Sequence, residues 1–248
     1  MDDTGLALVS LALIPPLLWC VHRLRIKKIK QYKSEISGLI EVLEKYNGEK
    51  ILTINKYHHG ISINQKDFDK SYWYFIATTA LQHLKKKSHP EVLFLGLGAN
   101  ASSGIIDRKD PKIHQTIVEI DKYIVEACQE FFDLEKMRNL TLIEADAYKL
   151  IDKRPDFKNK FDVIVVDIFT GIPPYVSTKT NQPPFIEKLN KWSKKDGLII
   201  FNRPANIQSD REDTKKLAAY LKTKFKEVKT SYIRDPRGYQ NDIISAVR

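Results

Sequence analysis

Val92-Leu93-Phe94-Leu95-Gly96-Leu97-Gly98-Ala99-Asn100-Ala101 decides the fold: an apolar run, two glycines, then small residues opening a helical pattern. A strand feeding a glycine turn and a helix is a first unit of an open α/β sheet. The glycines let a ligand approach the backbone N–H groups at the helix start. Working outward, apolar segments of strand length recur at Thr116–Ile120, Leu140–Glu144, Val163–Asp167 and Leu198–Asn202, with helical stretches between them. Val163-Ile164-Val165-Val166 is apolar without alternation, as in a strand buried on both faces of a parallel sheet. Ser209 and Glu212 have capping-box spacing and predict the start of the last helix. Glu227–Ile233 and Asp242–Val247 flank the turn signal Asp235-Pro236-Arg237-Gly238, which predicts a closing antiparallel hairpin. The expected fold is α/β, a doubly wound, mostly parallel sheet with right-handed crossovers and a terminal antiparallel pair.

Four segments divide the chain: 1–25, 26–48, 49–88 and 89–248. In the first, Gly5 to Val21 gives 17 residues without a charge, which predicts a single membrane-spanning helix kinked at Pro15-Pro16. Arg23, Arg25, Lys27, Lys28, Lys30 and Lys33 follow before the first acid, Glu35, so the positive-inside rule puts the bulk of the chain in the cytoplasm. In the second, Ile36, Leu39, Ile40 and Leu43 are spaced for a juxtamembrane helix stopped by Asn47-Gly48. The third reads as a small β-hairpin, Lys50–Lys56 and Gly60–Asn64 around Tyr57-His58-His59, then a helix over Asp67–Lys87. Its aromatics Trp73 and Phe75 read as core. The fourth is the nucleoside-binding domain.

Composition narrows the function. The chain has 248 residues, 42% of them hydrophobic, and only two cysteines, Cys20 and Cys128, which excludes a disulfide framework and a four-cysteine metal site. No nucleophile elbow, Walker loop or paired-histidine zinc motif is present, and His58-His59 has no third ligand at a plausible spacing, so no metal is expected. The net charge is +10. Six of those charges fall in residues 22–34 and no nucleic-acid motif accompanies them, which points to an anionic membrane face rather than to nucleic acid.

One acid follows each of three successive strands after the glycine loop. Glu119, 21 residues beyond Gly98, ends the second strand, where a carboxylate can accept both ribose hydroxyls. Asp146 follows the third and could accept from an adenine amino group. Asp167 ends the fourth, facing the same crevice. Asn100 stands where a third glycine is common and tolerates positive φ. Gly96-x-Gly98-x-x-Ala101 also fits a dinucleotide fingerprint, so a nicotinamide ligand stays open at this point.

The order of hairpin, helix, glycine loop, Val118-Glu119-Ile120-Asp121, Asp146-Ala147 and Phe161-Asp162-Val163-Ile164-Val165-Val166-Asp167 resembles the spermidine synthases over roughly residues 45 to 203. These are the aminopropyltransferase branch of the class I adenosylmethionine-dependent transferases. The resemblance implies a seven-stranded sheet preceded by a small β-domain, with S-adenosylmethionine or its decarboxylated form as donor. It places Gly96 and Gly98 around the methionine portion, Glu119 at the ribose, and Asp146 with Ala147 at adenine, with Asn100 and Asp121 as further cofactor-binding candidates. Asp167, Tyr72 and Thr170 form the catalytic half, acting on a small-molecule amine or other nucleophilic acceptor, and the resemblance implies self-association as a homodimer.

That half departs from the family pattern. The D-x-x-D-P stretch reads Asp167-Ile168-Phe169-Thr170-Gly171, and a threonine hydroxyl is no base near pH 7. D-G-x-x-Q becomes His59-Gly60-Ile61-Ser62-Ile63, and Y-H-E becomes Tyr72-Trp73-Tyr74. Three readings remain open: an aminopropyltransferase-like enzyme, a methyltransferase on another acceptor, and an interaction module that kept the fold without the chemistry.

Overall fold

In the computed structural model, which describes residues 26–63, 67–150, 153–170, 175–176 and 178–248, Ile26–Ser34 (β1) and Gly38–Lys45 (β2) form an antiparallel hairpin with Tyr32 opposite Ile40. The 26–48 segment is therefore not the expected helix. Gly38 turns the chain at φ +82, and along β2 Ile40 and Val42 go inward at the two-residue period of a strand. Ile36, Leu39, Ile40 and Leu43 fitted a helix because a short apolar stretch can satisfy both periods. Lys50–Ile54 (β3) and Tyr57–Ile61 (β4) complete a four-stranded sheet in the order β1-β2-β3-β4. The β3–β4 turn is made by Asn55 and Lys56 at φ 49 and 71, so Tyr57, His58 and His59 stand on β4 and not in the expected turn. The anchor predicted for residues 1–25 lies outside the described residues. Among the described residues no helix is long and apolar enough to cross a membrane.

After a 3-10 turn at Phe68–Lys70, Ser71 caps the helix Tyr72–Leu84 (α1), its Oγ accepting from the Tyr74 N–H at 3.2 Å. Then strands and helices alternate: Glu91–Leu95 (β5), Ala101–Lys109 (α2), His114–Glu119 (β6), Lys122–Phe131 (α3), Leu140–Glu144 (β7), Ala147–Leu150 (α4) and Phe161–Val166 (β8). A two-stranded ribbon of Phe169–Thr170 (β9) and Tyr175–Val176 (β10) follows, then Pro183–Trp192 (α5), Ser193–Pro204 (β11), Gln208–Lys222 (α6), Glu227–Arg234 (β12) and Gln240–Val247 (β13). The large sheet has the order β12-β13-β11-β8-β5-β6-β7. Its five strands from β11 to β7 run parallel, and β13 and β12 add antiparallel. The five expected parallel strands and the closing hairpin are all present. The capping-box reading is corrected by one turn's edge: α6 begins before Ser209, and Asp210 rather than Ser209 meets the first N–H, that of Ile207 at 3.3 Å.

Two cores flank the sheet. Val92, Phe94, Val163 and Val165 pack on one side with Ile76, Ile106 and Ile124. Leu93, Leu95, Ile164 and Val166 pack on the other with Leu189, Phe201 and Leu217. Both faces of β5 and β8 are thus dry, which is why their runs are apolar throughout. The small sheet docks over the carboxyl ends of these strands. Ser34 donates to the Asp121 carboxylate, Lys30 pairs with Glu130 at 3.1 Å, and Gly60 of β4 lies so close that a Cβ there would stand 2.4 Å from that of Ala99. Trp73 is buried, as expected for a core residue.

Candidate nucleoside-binding site

The glycine loop is shaped by two close approaches. Gly96 has φ +96, and a Cβ on it would stand 2.2 Å from the Asp167 carbonyl oxygen. Only glycine fits there. Its N–H donates to the Val118 carbonyl and the Asp167 N–H donates to that of Leu95, both at 2.9 Å, so the ends of β5, β6 and β8 are laced together. Gly98, at φ +55, approaches the His59 carbonyl.

Glu119 is buried at the end of β6. Its Oε2 accepts from the Leu97 N–H at 3.0 Å, and its Oε1 accepts from those of Ile120 and Asp121 at 2.8 and 3.0 Å. Burial raises its pKa, and these three donors pull it back. A carboxylate has about four acceptor positions, so one remains for a ligand hydroxyl. Asp146 opens α4: its Oδ1 accepts from the Tyr148 N–H at 2.9 Å. Asp167 leaves β8 with its Oδ1 accepting from Asn202 Nδ2 at 2.8 Å, and Asn202 Oδ1 accepts in turn from Asn241 Nδ2 at 2.8 Å. Burial pushes the Asp167 carboxyl up to about 6, against the lowering effect of that hydrogen bond.

Tyr72, buried on α1, is in hydrogen-bond contact with Asn202. Burial first, and then the Asp167 charge, hold its hydroxyl far above the ordinary tyrosine range. Its ring meets Tyr239 edge-on at 6.5 Å between centroids. The Tyr239 hydroxyl is hydrogen-bonded to His58 Nδ1, and burial pushes it up to about 12. Burial lowers His59 to about 4, which keeps it neutral near pH 7.

These groups line one cavity of about 850 Å³, which runs from the β1–β2 tip at Glu35 and Gly38 to Tyr239, Gln240 and Asn241. It brings together Gly96, Gly98, Glu119, Asp146, Ala147, Asp167 and Tyr72. Two of the residues singled out in the sequence do not line it. Asn100 holds the loop at φ 55 with its Nδ2 donated to the Phe132 carbonyl at 3.0 Å and its Oδ1 accepting from Ser103. Asp121 caps α3 through the Tyr123 N–H at 3.0 Å and binds Ser34. Both are framework residues, already satisfied by protein groups. Thr170 ends β9, pairing with Tyr175 and placed one residue beyond Phe169 on the cavity wall. Among the described residues no group of three His, Cys, Asp or Glu converges as metal ligands would.

Sequence reasoning missed Asn202, Tyr239 and Asn241, and placed His58 and His59 in a turn. A polar residue closing the apolar run Leu198–Phe201 was a legible sign for Asn202. Nothing local marked the other two.

The seven-stranded sheet, with its five parallel strands and antiparallel edge, is an α/β fold like that of the class I methyltransferases. A family model, the spermine/spermidine synthase domain, matches residues 74–247. The chain belongs to the spermine/spermidine synthase family. It is 27% identical over 138 residues to a polyamine aminopropyltransferase of Vibrio vulnificus, a match covering 54% of this chain and 44% of that one. It is 30% identical over 115 residues to an N-terminal histidine N-methyltransferase of Emericella nidulans, covering 46% and 20%. The chain thus spans less than half the length of these curated relatives. A solved structure of a probable spermidine synthase from Corynebacterium glutamicum superposes with a TM-score of 0.72 at 19% identity, covering 88% of this chain and 79% of the other. At that identity the likeness speaks for the fold.

Proposed function

We propose that this chain binds S-adenosylmethionine or its decarboxylated form in the cavity and transfers an alkyl group from it to an amine or other nucleophile. The observation that carries this reading is the convergence of Gly96, Gly98, Glu119, Asp146, Tyr72 and Asp167 around the 850 Å³ cavity. The residues fit such a ligand: Gly96 and Gly98 line the cavity with bare backbone, and Glu119 keeps an acceptor position for ribose. Gly96 and Gly98 would hold the methionine portion, Glu119 the ribose, and Asp146 with Ala147 the adenine. A bound sulfonium nucleoside supplies an electrophilic carbon, and bonding of an acceptor nitrogen to it returns the carbon–sulfur electron pair to sulfur.

Asp167 then takes the proton that the nitrogen sheds. With Thr170 in place of the family's second aspartate, that duty falls on Asp167 alone, and a base titrating near 6 suits the task at pH 7. Asn202 fixes its orientation. Names of relatives support both aminopropyl and methyl groups as the cargo. Calorimetric titration with S-adenosylhomocysteine and methylthioadenosine tests the reading, and absence of heat from both overturns it. Binding without turnover on any amine would instead favour the interaction-module reading that Thr170 motivates.

Attachment to a membrane through residues 1–25, with the folded part on the cytoplasmic side, belongs to the same proposal. It is supported by the uncharged run Gly5–Val21 and the basic residues after it. Co-fractionation with membranes, lost on deletion of residues 1–25, is the expected result.

A further inference from the structure

The two ends of the cavity differ in charge. At the nucleoside end Glu119 and Asp146 are engaged by backbone N–H groups, and Glu35 stands exposed on the β1–β2 tip, next to the Ser34–Asp121 contact. At the other end Asp167 is the one carboxylate lining the cavity among the described residues. Its companions there are Tyr72, Tyr239 with its partner His58, the neutral His59, Gln240 and Asn206. Asp235, close enough to raise both tyrosines, is turned into the β12–β13 connection. Arg237 holds it there from Nε at 2.8 Å and Nη2 at 2.6 Å, with the Arg237 N–H at 2.7 Å. From Ile168 to Ile186 the sequence has no acid at all, so the stretch around β9 and β10 supplies none.

Resting on the transferase reading above, we propose that the acceptor is a monoamine: one amino group seated at Asp167 against the Tyr72 and Tyr239 rings, continuing into uncharged amide-like atoms rather than toward a second ammonium. One cation finds a carboxylate and two aromatic rings, a favourable setting. A second cation on the same molecule would meet amides and a neutral imidazole, and a charge removed from water without a partner is strongly disfavoured. Gln240 and Asn206 each carry an amide, a group whose donors and acceptors match a peptide-like chain. The base also matches. An α-amino group loses its proton near pH ~8 and an alkylamine near ~10, so a carboxylate titrating at about 6 deprotonates the former far more readily.

The test uses the full chain saturated with S-adenosylhomocysteine, whose own heat of binding is recorded first. The loaded protein is then titrated with glycinamide and, separately, with 1,4-diaminobutane. Glycinamide is expected to bind at least tenfold tighter than the diamine. Asp167→Asn is expected to weaken glycinamide at least tenfold, its S-adenosylhomocysteine heat reporting that the fold is kept. A diamine that binds as tightly as glycinamide, or glycinamide that gives no heat on the loaded protein, overturns the proposal and leaves the nucleoside reading standing. Absence of heat from S-adenosylhomocysteine and from methylthioadenosine alike removes that reading and the proposal with it.

Discussion

At the end of the cavity proposed for the nucleoside each lining residue singled out lies at its own strand's end or within three residues after it: Gly96 and Gly98 after β5, Glu119 at the end of β6, Asp146 after β7. At the end proposed for the acceptor the groups arrive from remote segments: His58 from β4, Tyr72 from α1, Asn202 from β11, and Tyr239 and Asn241 from the closing hairpin. The first end is held by backbone N–H groups on carboxylates and by glycines pressed against neighbouring strands. The second is held by bonds between side chains, from Asp167 through Asn202 to Asn241 and from Tyr239 to His58. An end made of backbone keeps its shape when a ligand is exchanged, whereas one made of side chains can be rewritten by a few substitutions. That contrast agrees with where this chain keeps its family's pattern and where it leaves it.

The largest expected effect falls where the two ends touch. Gly96→Ala drives a Cβ into the Asp167 carbonyl, and denaturant melts should show a loss of ~3 kcal/mol or more. Gly238→Ala is the control: its φ is +99 but nothing lies within 4 Å, so only the backbone strain remains, ~1 kcal/mol. Equal losses in the two variants would refute the close packing of the strand ends.

Asp167→Asn should cut transfer by about 100-fold or more while stabilising the fold at pH 7 by ~1–3 kcal/mol. The sign follows from the raised pKa. Folded protein holds the Asp167 proton more tightly than unfolded chain does, so ionisation penalises the folded state progressively from the ordinary aspartate value up to about 6. The gain should therefore be full above pH 6 and absent at pH values below the ordinary aspartate range. A gain that persists there would mean that burial is not its cause.

Glu119→Gln places an amide NH₂ against one of three backbone donors. Nucleoside affinity should fall about tenfold, ~1.4 kcal/mol, read by calorimetry. The smallest effect is that of Tyr239→Phe, which removes the His58 hydrogen bond and should cost ~0.5–1.5 kcal/mol of stability with nucleoside affinity unchanged. A parallel fall in nucleoside affinity would join the two ends into one energetic unit.

The parallel sheet was legible because burial on both faces leaves an uninterrupted apolar run, as in Val163–Val166, and the glycine loop because backbone contact at Gly96 tolerates no other residue. The N-terminal hairpin carries a helical spacing at Ile36, Leu39, Ile40 and Leu43 only by coincidence, since Ile36 lies in the turn and the other three on the single strand β2. Asn100 and Asp121 have the right identity and position for ligand groups, yet their side chains are consumed by Phe132, Ser103, Tyr123 and Ser34. A polar residue near a site reads the same in sequence whether it faces the ligand or the frame.

By itself, then, the sequence determined the strand order of chemistry along the chain: a glycine turn, then one acid per strand end, because these depend on backbone conformation and on contacts within a few residues. Only the tertiary structure decided what surrounds Asp167. Tyr72 and Asn202 lie 130 residues apart in the chain, and their meeting depends on a helix and a strand packing against each other, with Tyr239 brought in by a hairpin that pairs antiparallel beside β11. No local pattern encodes that encounter, because side-chain bonds between remote segments exist only once the sheet has closed around them.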